Sequence, residues 1–237
     1  MKRYIVALLL MLAALGGYAQ QDSIKVASIE EMEQILASGK ESVQVYYNLG
    51  YAYYKNGELA KSILNFERAH RLAPSDEDII YNLEQAYAMT DKLQEVEVVF
   101  FVRWWDSLCN MMSSDGWAVM FVVVFILMLV GVAAFIFSDN VSLRKAGFFS
   151  AAALLIVAIF SLSVSIRQRD NIVNCKDAII MKASVTLSTS PDENGSELVV
   201  LHAGTKVHVL NRLGEWCEVR LKDGNVGWIK ASFIEVI

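Results

Sequence analysis

The chain has 237 residues, is 55% hydrophobic and carries a formal charge of −5. Residues 20–98 hold 14 acids and 7 bases, residues 170–237 hold 9 and 7, and no basic stripe interleaves with aromatics, so nucleic acid is not an expected partner. Cys109, Cys175 and Cys217 are too widely spaced for a CxxC redox pair or a zinc site, and three thiols leave at least one unpaired.

In chain order, the first predicted element is a secretory leader over residues 1–19. Met1-Lys2-Arg3 precede the apolar stretch Ile5–Leu15, and Gly17 and Ala19 supply small residues for cleavage. Eleven apolar residues are too few to span a bilayer, so the leader sets the orientation and Gln20 onward is exported.

Residues 28–90 read as a helical repeat region. Ser28–Leu36 is a leading helix, and from Val43 to Asp76 the residues Tyr46, Leu49, Gly50, Tyr53, Gly57, Ser62, Phe66, Ala69 and Pro74 hold the register of a 34-residue unit. Gly50 and Ser62 allow two antiparallel helices to approach, while Leu49, Tyr53 and Phe66 fill the seam. Gly57 supports the turn, and Pro74, with no N–H to donate, stops the second helix. This stretch resembles the tetratricopeptide repeat family, departing mainly at Ser62, where the family usually has alanine. A second unit starts at Glu77 but is incomplete; such units need neighbours to bury their faces, so the array should lean on something else. The resemblance implies a concave partner-binding surface made by Tyr47, Tyr51, Tyr54, Lys55, Tyr81 and Gln85. The alternative is that some of these tyrosines pack against the helix at Ser28–Leu36.

Residues 91–112 are expected to form an amphipathic aromatic helix before the membrane, carrying Phe100, Phe101, Trp104 and Trp105. It either lies on the bilayer or packs under the repeat as its missing helix. Two charge-free runs follow, 117–137 and 146–166, each 21 residues. As helices they are about 32 Å long, enough for a hydrocarbon core of about 30 Å. They predict a transmembrane hairpin, with Ser138–Lys145 as its cytoplasmic turn. Arg144 and Lys145 in the turn are balanced by Arg103, Arg167 and Arg169 on the other flank, so charge does not decide the topology.

Beyond Arg169 the pattern becomes alternation, in Lys206–Val209, Trp216–Leu221 and Val226–Ile229, with turns at Asp192–Gly195, Leu213-Gly214 and Asp223-Gly224. Five or six short strands over 177–237 make a small all-β barrel. It resembles bacterial SH3-like domains, most strongly at Gly204–Val207, Trp216 with Val219, and Gly227-Trp228-Ile229. Alternation puts Cys217, Val219 and Leu221 in the core. Trp216, Lys230 and Phe233 are the candidate partner-binding residues, Phe233 falling where eukaryotic SH3 domains keep a groove tyrosine and Lys230 where they have proline.

His70, His202 and His208 do not converge on an acid or serine pattern, and no P-loop, nucleophile elbow, HExxH or dinucleotide fingerprint occurs. No catalytic residue, cofactor or metal is expected. The fold class is a multidomain membrane protein: an all-α tetratricopeptide repeat, a two-helix transmembrane hairpin and an SH3-like barrel. Leader, short array, "FFVRWWDSL", "SSDGWA", hairpin and barrel together resemble the BatE family of bacterial aerotolerance (Bat) operons. That resemblance implies a non-enzymatic scaffold of the bacterial inner membrane with both modules on the periplasmic side. Its partners would be other Bat-operon membrane proteins, with von Willebrand-A domains and a MoxR-type ATPase, and membrane lipid. The alternative is an anchor whose barrel binds peptidoglycan peptides.

Overall fold

The computed structural model describes residues 28–90, 100–193 and 195–237. The expected leader and residues 91–99 of the juxtamembrane segment lie outside the described residues.

Four helices build the repeat region: α1 (Ile29–Ala37), α2 (Val43–Lys55), α3 (Leu59–Leu72) and α4 (Glu77–Tyr87). Ser28 opens α1 with a capping box: its hydroxyl accepts from Glu31 N at 3.2 Å, and the Glu31 carboxylate accepts from Ser28 N at 3.0 Å. Ser42 and Asp76 cap α2 and α4 without the reciprocal bond, their side chains accepting from first-turn amides that would otherwise be free. Gly57 makes the α2–α3 turn at φ +77°. Gly50 faces the Phe66 ring so closely that a Cβ there would sit 2.8 Å from Cδ1. Leu49, Tyr53, Phe66 and Ala69 are buried as the repeat register requires. Helix α1 covers the far side of α2, where Met32 packs on Leu49 and Tyr53.

Three helices follow: α5 (Phe100–Cys109), α6 (Ser114–Phe137) and α7 (Val141–Val173). The latter two are long and apolar enough to cross a membrane, with Val119, Val130, Phe137 and Ile156 among many apolar side chains facing outward. Their connection is shorter than expected. Only Ser138–Asn140 are non-helical, Asn140 accepts from Ser142 N at 2.9 Å, and Arg144 and Lys145 already lie in α7. A capped start lets the helix begin before the apolar run does. At its other end α7 continues past Ile166 to Val173, because residues 167–173 contain neither glycine nor proline to stop it. Its 33 residues span about 50 Å at ~1.5 Å each.

The hairpin closes where side chains are smallest. A Cβ on Gly147 would lie 2.7 Å from Gly131 O. Ser114 and Ser165 exchange hydrogen bonds to each other's carbonyls at 3.1 and 2.9 Å. Trp105 of α5 and Trp117 of α6 both set edges against Phe160, with centroids 5.9 and 5.7 Å away. Helix α5 therefore packs on the hairpin and is not the missing helix of the repeat; Phe100, Phe101 and Trp104 stay exposed.

The C-terminal region is an antiparallel sheet of β1 (Asp177–Ile180), β2 (Ser184–Ser188), β3 (Glu197–His202), β4 (Lys206–Leu213), β5 (Trp216–Arg220), β6 (Val226–Lys230) and β7 (Ile234–Val236), in the order β3-β2-β6-β5-β4-β1-β7. Its core holds Ile180, Val185, Leu187, Leu201, Val207, Cys217, Val219, Leu221 and Ile229. Cys217 is fully buried, as the period-2 pattern of β5 demands. Gly214 and Gly224 turn the hairpins at positive φ.

Candidate interaction surfaces

The repeat face expected to hold a partner divides in two. Tyr51 and Tyr81 are exposed by 43% and 62%, as are Lys55 and Gln85. Lys55 Nζ stands 5.1 Å from the Tyr51 ring centroid, so these two form one aromatic–cation unit. Tyr47 is half-buried: its ring meets Phe66 at 5.8 Å, and its hydroxyl accepts from Asn82 Nδ2 at 3.1 Å. Burial, then the nearby Asp78 and Asp76, push the Tyr47 hydroxyl above its ordinary pKa. Tyr54 is half-buried against the cluster formed by α3, α4 and the barrel. Toward α1, Tyr53 donates to Glu33, and Tyr47 packs on the same buried cluster as Leu36.

On the barrel, cross-strand pairing brings Trp216 opposite Lys230. Lys230 Nζ lies 5.6 Å from the Trp216 ring and 2.9 Å from Glu193 Oε1, and that carboxylate holds the ammonium above the usual lysine value. Phe233 sits in the 3₁₀ turn Ala231–Phe233, packs on the barrel core and lies under Lys182, whose Nζ is 4.1 Å from its ring. Phe233 thus belongs to a second aromatic–cation pair. All three cysteines are free, and no group of His, Cys, Asp or Glu suited to a metal occurs among the described residues.

The contact that sequence reasoning missed joins repeat to barrel. Ile179 of β1 and Ile237 share one buried cluster with Ile63, Leu64 and Phe66 of α3 and Leu83 and Ala86 of α4. Barrel residues thereby cover the α3 and α4 surface on which a further repeat helix would pack. Around the apolar patch, Lys206 Nζ reaches Glu67 at 2.9 Å and Asp177 at 3.3 Å, Tyr87 donates to Glu67, and His208 Nδ1 lies 2.7 Å from Asp177 Oδ1. Arg68 donates to Glu235 at 3.0 Å and to Val236 O at 2.7 Å, and Arg71 donates to Ile237 O. Burial lowers the Lys206 ammonium, but Glu67 and Asp177 outweigh it and leave its pKa raised. Burial likewise raises Asp177, and Lys206 and His208 reverse that to a net lowering.

His208 thus meets an acid after all, contrary to the expectation that the histidines converge on none. Strand pairing of β1 with β4 sets Asp177 directly opposite it. The one local signal for the contact is Ala178-Ile179-Ile180, three successive buried apolar residues that break the alternation of a half-exposed strand.

Comparison with known proteins agrees with this domain content. The tetratricopeptide repeat family matches residues 43–76, and the bacterial SH3 domain family matches residues 184–235. No curated protein matches the chain. Both matched families consist of interaction modules, so protein or peptidoglycan-related binding is the class of function they point to.

Proposed function

We propose that the chain is a non-enzymatic, membrane-anchored scaffold of the bacterial envelope, as its resemblance to the BatE family implies. The hairpin α6–α7 crosses the inner membrane twice, and repeat and barrel stand together on the periplasmic side. The observation that carries this reading is the core shared by residues of α3, α4 and β1. Modules that bury side chains against each other must lie on the same side of a bilayer, and two crossings between them satisfy that condition. Tyr51, Lys55, Tyr81 and Gln85 then offer the repeat surface for a protein partner, expected to be another Bat-operon membrane protein.

The test is twofold. Tyr51→Ala with Tyr81→Ala should abolish a crosslinked partner in intact cells while membrane insertion is unchanged; an unchanged pull-down overturns the scaffold reading. Protease admitted to the periplasm should digest both flanks of the hairpin, and protection of either overturns the topology.

The pairs Trp216–Lys230 and Phe233–Lys182 favour a second reading, a barrel that binds peptidoglycan peptides. Cosedimentation of the full chain with purified wall material, lost in Trp216→Ala, would support it.

A further inference from the structure

The turn end of the hairpin, away from repeat and barrel, carries a hollow of about 260 Å³. It is lined by Phe135 of α6 and by Val141, Arg144, Lys145, Phe148 and Phe149 of α7. Residues four apart on a helix are neighbours on one stripe, so Arg144 stands one turn nearer the tip than Phe148, and Lys145 one turn nearer than Phe149. The hollow therefore sets two cations on the tip side of an aromatic floor. Phe135 and Phe148 meet with ring centroids 5.6 Å apart, and Phe148 and Phe149 at 5.5 Å.

Depth distinguishes these cations from charges standing free in water. The Arg144 guanidinium lies 5.7 Å from the Phe135 ring centroid, two residues short of the end of α6. Lys145 immediately precedes the charge-free run 146–166. Still nearer the tip, Phe137, Val141 and Leu143 are exposed, so apolar side chains face outward on both sides of the cations. A cation at that level in lipid loses water on its flanks and needs an anion that reaches the same depth. Arg144 and Lys145 form no ion pair among the described residues. From Ser138 to Phe149 the sequence holds two bases against one acid, Asp139, a net charge of +1, and the N-terminus of α7 adds the positive end of its dipole.

A phosphodiester carries one negative charge, and its two free oxygens match the fork of a guanidinium. Its esterified chains match the aromatic floor. We propose that the hollow holds the head of an anionic phospholipid, a phosphodiester with no ammonium of its own, from the leaflet that the hairpin tip reaches. Arg144 donates two N–H bonds to the phosphate oxygens, Lys145 donates a third, and the acyl chains run along Phe148 and Phe149. A zwitterionic head brings its own ammonium beside two cations, with Asp139 alone to receive it. This inference rests on the membrane reading of the hairpin given above.

The test uses the full chain, delipidated in detergent, with phosphatidylglycerol, phosphatidylethanolamine or phosphatidylcholine added and bound lipid read by native mass spectrometry. Phosphatidylglycerol should be retained about tenfold better than either zwitterionic lipid. Arg144→Gln with Lys145→Gln, both at exposed positions, should remove that preference without lowering the thermal unfolding midpoint. Arg167→Gln with Arg169→Gln removes as much positive charge from the other end of the hairpin and should leave the preference intact. Excess inorganic phosphate should fail to displace the lipid, because the chains are held as well as the head. Equal retention of the three lipids, a preference that survives the Arg144 and Lys145 changes, an equal loss on changing Arg167 and Arg169, or displacement by phosphate overturns the proposal. Because no bilayer is involved, such a failure is separate from a failure of the protease topology test.

Discussion

The Lys206 ammonium of the barrel stands 2.9 Å from the Glu67 carboxylate of the repeat, across 139 residues of sequence. Glu67 is nearly inaccessible at 7% exposure, so this pair sits in a medium where an unpaired charge is costly. Removing one partner strands the other against Tyr87 and Asp177.

Lys206→Met should therefore destabilise the chain by about 3 kcal/mol, whereas Glu67→Gln with Lys206→Met should recover part of that loss. Thermal unfolding of the two single variants and the double variant measures the coupling. Independent, additive losses would mean that the pair contributes nothing specific to the contact.

Two glycines separate backbone strain from interdomain contact. Gly204 has φ +90°, and a Cβ there would stand 2.9 Å from both Ile63 Cδ1 and Thr90 Cγ2; Gly214 has φ +58° with open space around it. Alanine at Gly214 should cost about 1 kcal/mol from conformation alone. Alanine at Gly204 should cost more and also expose the repeat–barrel junction to limited proteolysis. Equal effects at both positions would show that the junction tolerates the added methyl group.

Acid should loosen the same junction in two stages. Burial lowers His70 from its ordinary value of 6.5, with nearby Lys206 acting in the same sense and Glu67 against it. A depressed folded pKa means that the stabilisation is present above the unfolded value and lost as pH falls through the folded one. A first loss therefore starts below about pH 6.5, and a second, from the lowered Asp177, below its ordinary 3.8. Lys206 acts oppositely: its raised pKa keeps its contribution intact up to about 10.5, and that contribution is lost as pH rises through the folded value. His70→Gln should remove the first acid loss while leaving the second, as read by denaturant midpoints between pH 3 and pH 8.

Ser62 departs from the usual repeat residue, and the structure explains what that costs. Its side chain is wholly buried, and its Oγ has no partner among the described residues. Ser62→Ala removes an unsatisfied hydroxyl without creating a void, and should stabilise the repeat by about 1 kcal/mol. A lower unfolding midpoint for that variant would place an unseen partner on the hydroxyl.

Local chemistry was readable wherever a period or a forced conformation left its mark in the residues. The 34-residue register placed Gly50 where two helices approach closely and Gly57 in the turn, and alternation in β5 put Cys217 and Val219 inside. Helix ends were less legible: Asn140 starts α7 before the apolar run, which shortens the expected turn at Ser138–Lys145 to Ser138–Asn140. The partner faces were legible only as residue types. Tyr47 and Tyr51 look alike in the sequence, yet one is held by Phe66 and Asn82 while the other reaches solvent.

Element type, repeat register, barrel alternation and the two apolar helices follow from interactions between residues a few positions apart, which linear order preserves. The seating of the barrel on α3 and α4 and the Glu67–Lys206–Asp177 network arose only in three dimensions. Ile179 carries no mark of its partner: one buried isoleucine resembles another until two incomplete surfaces, an unfinished repeat and a strand apolar on both faces, remove each other from water.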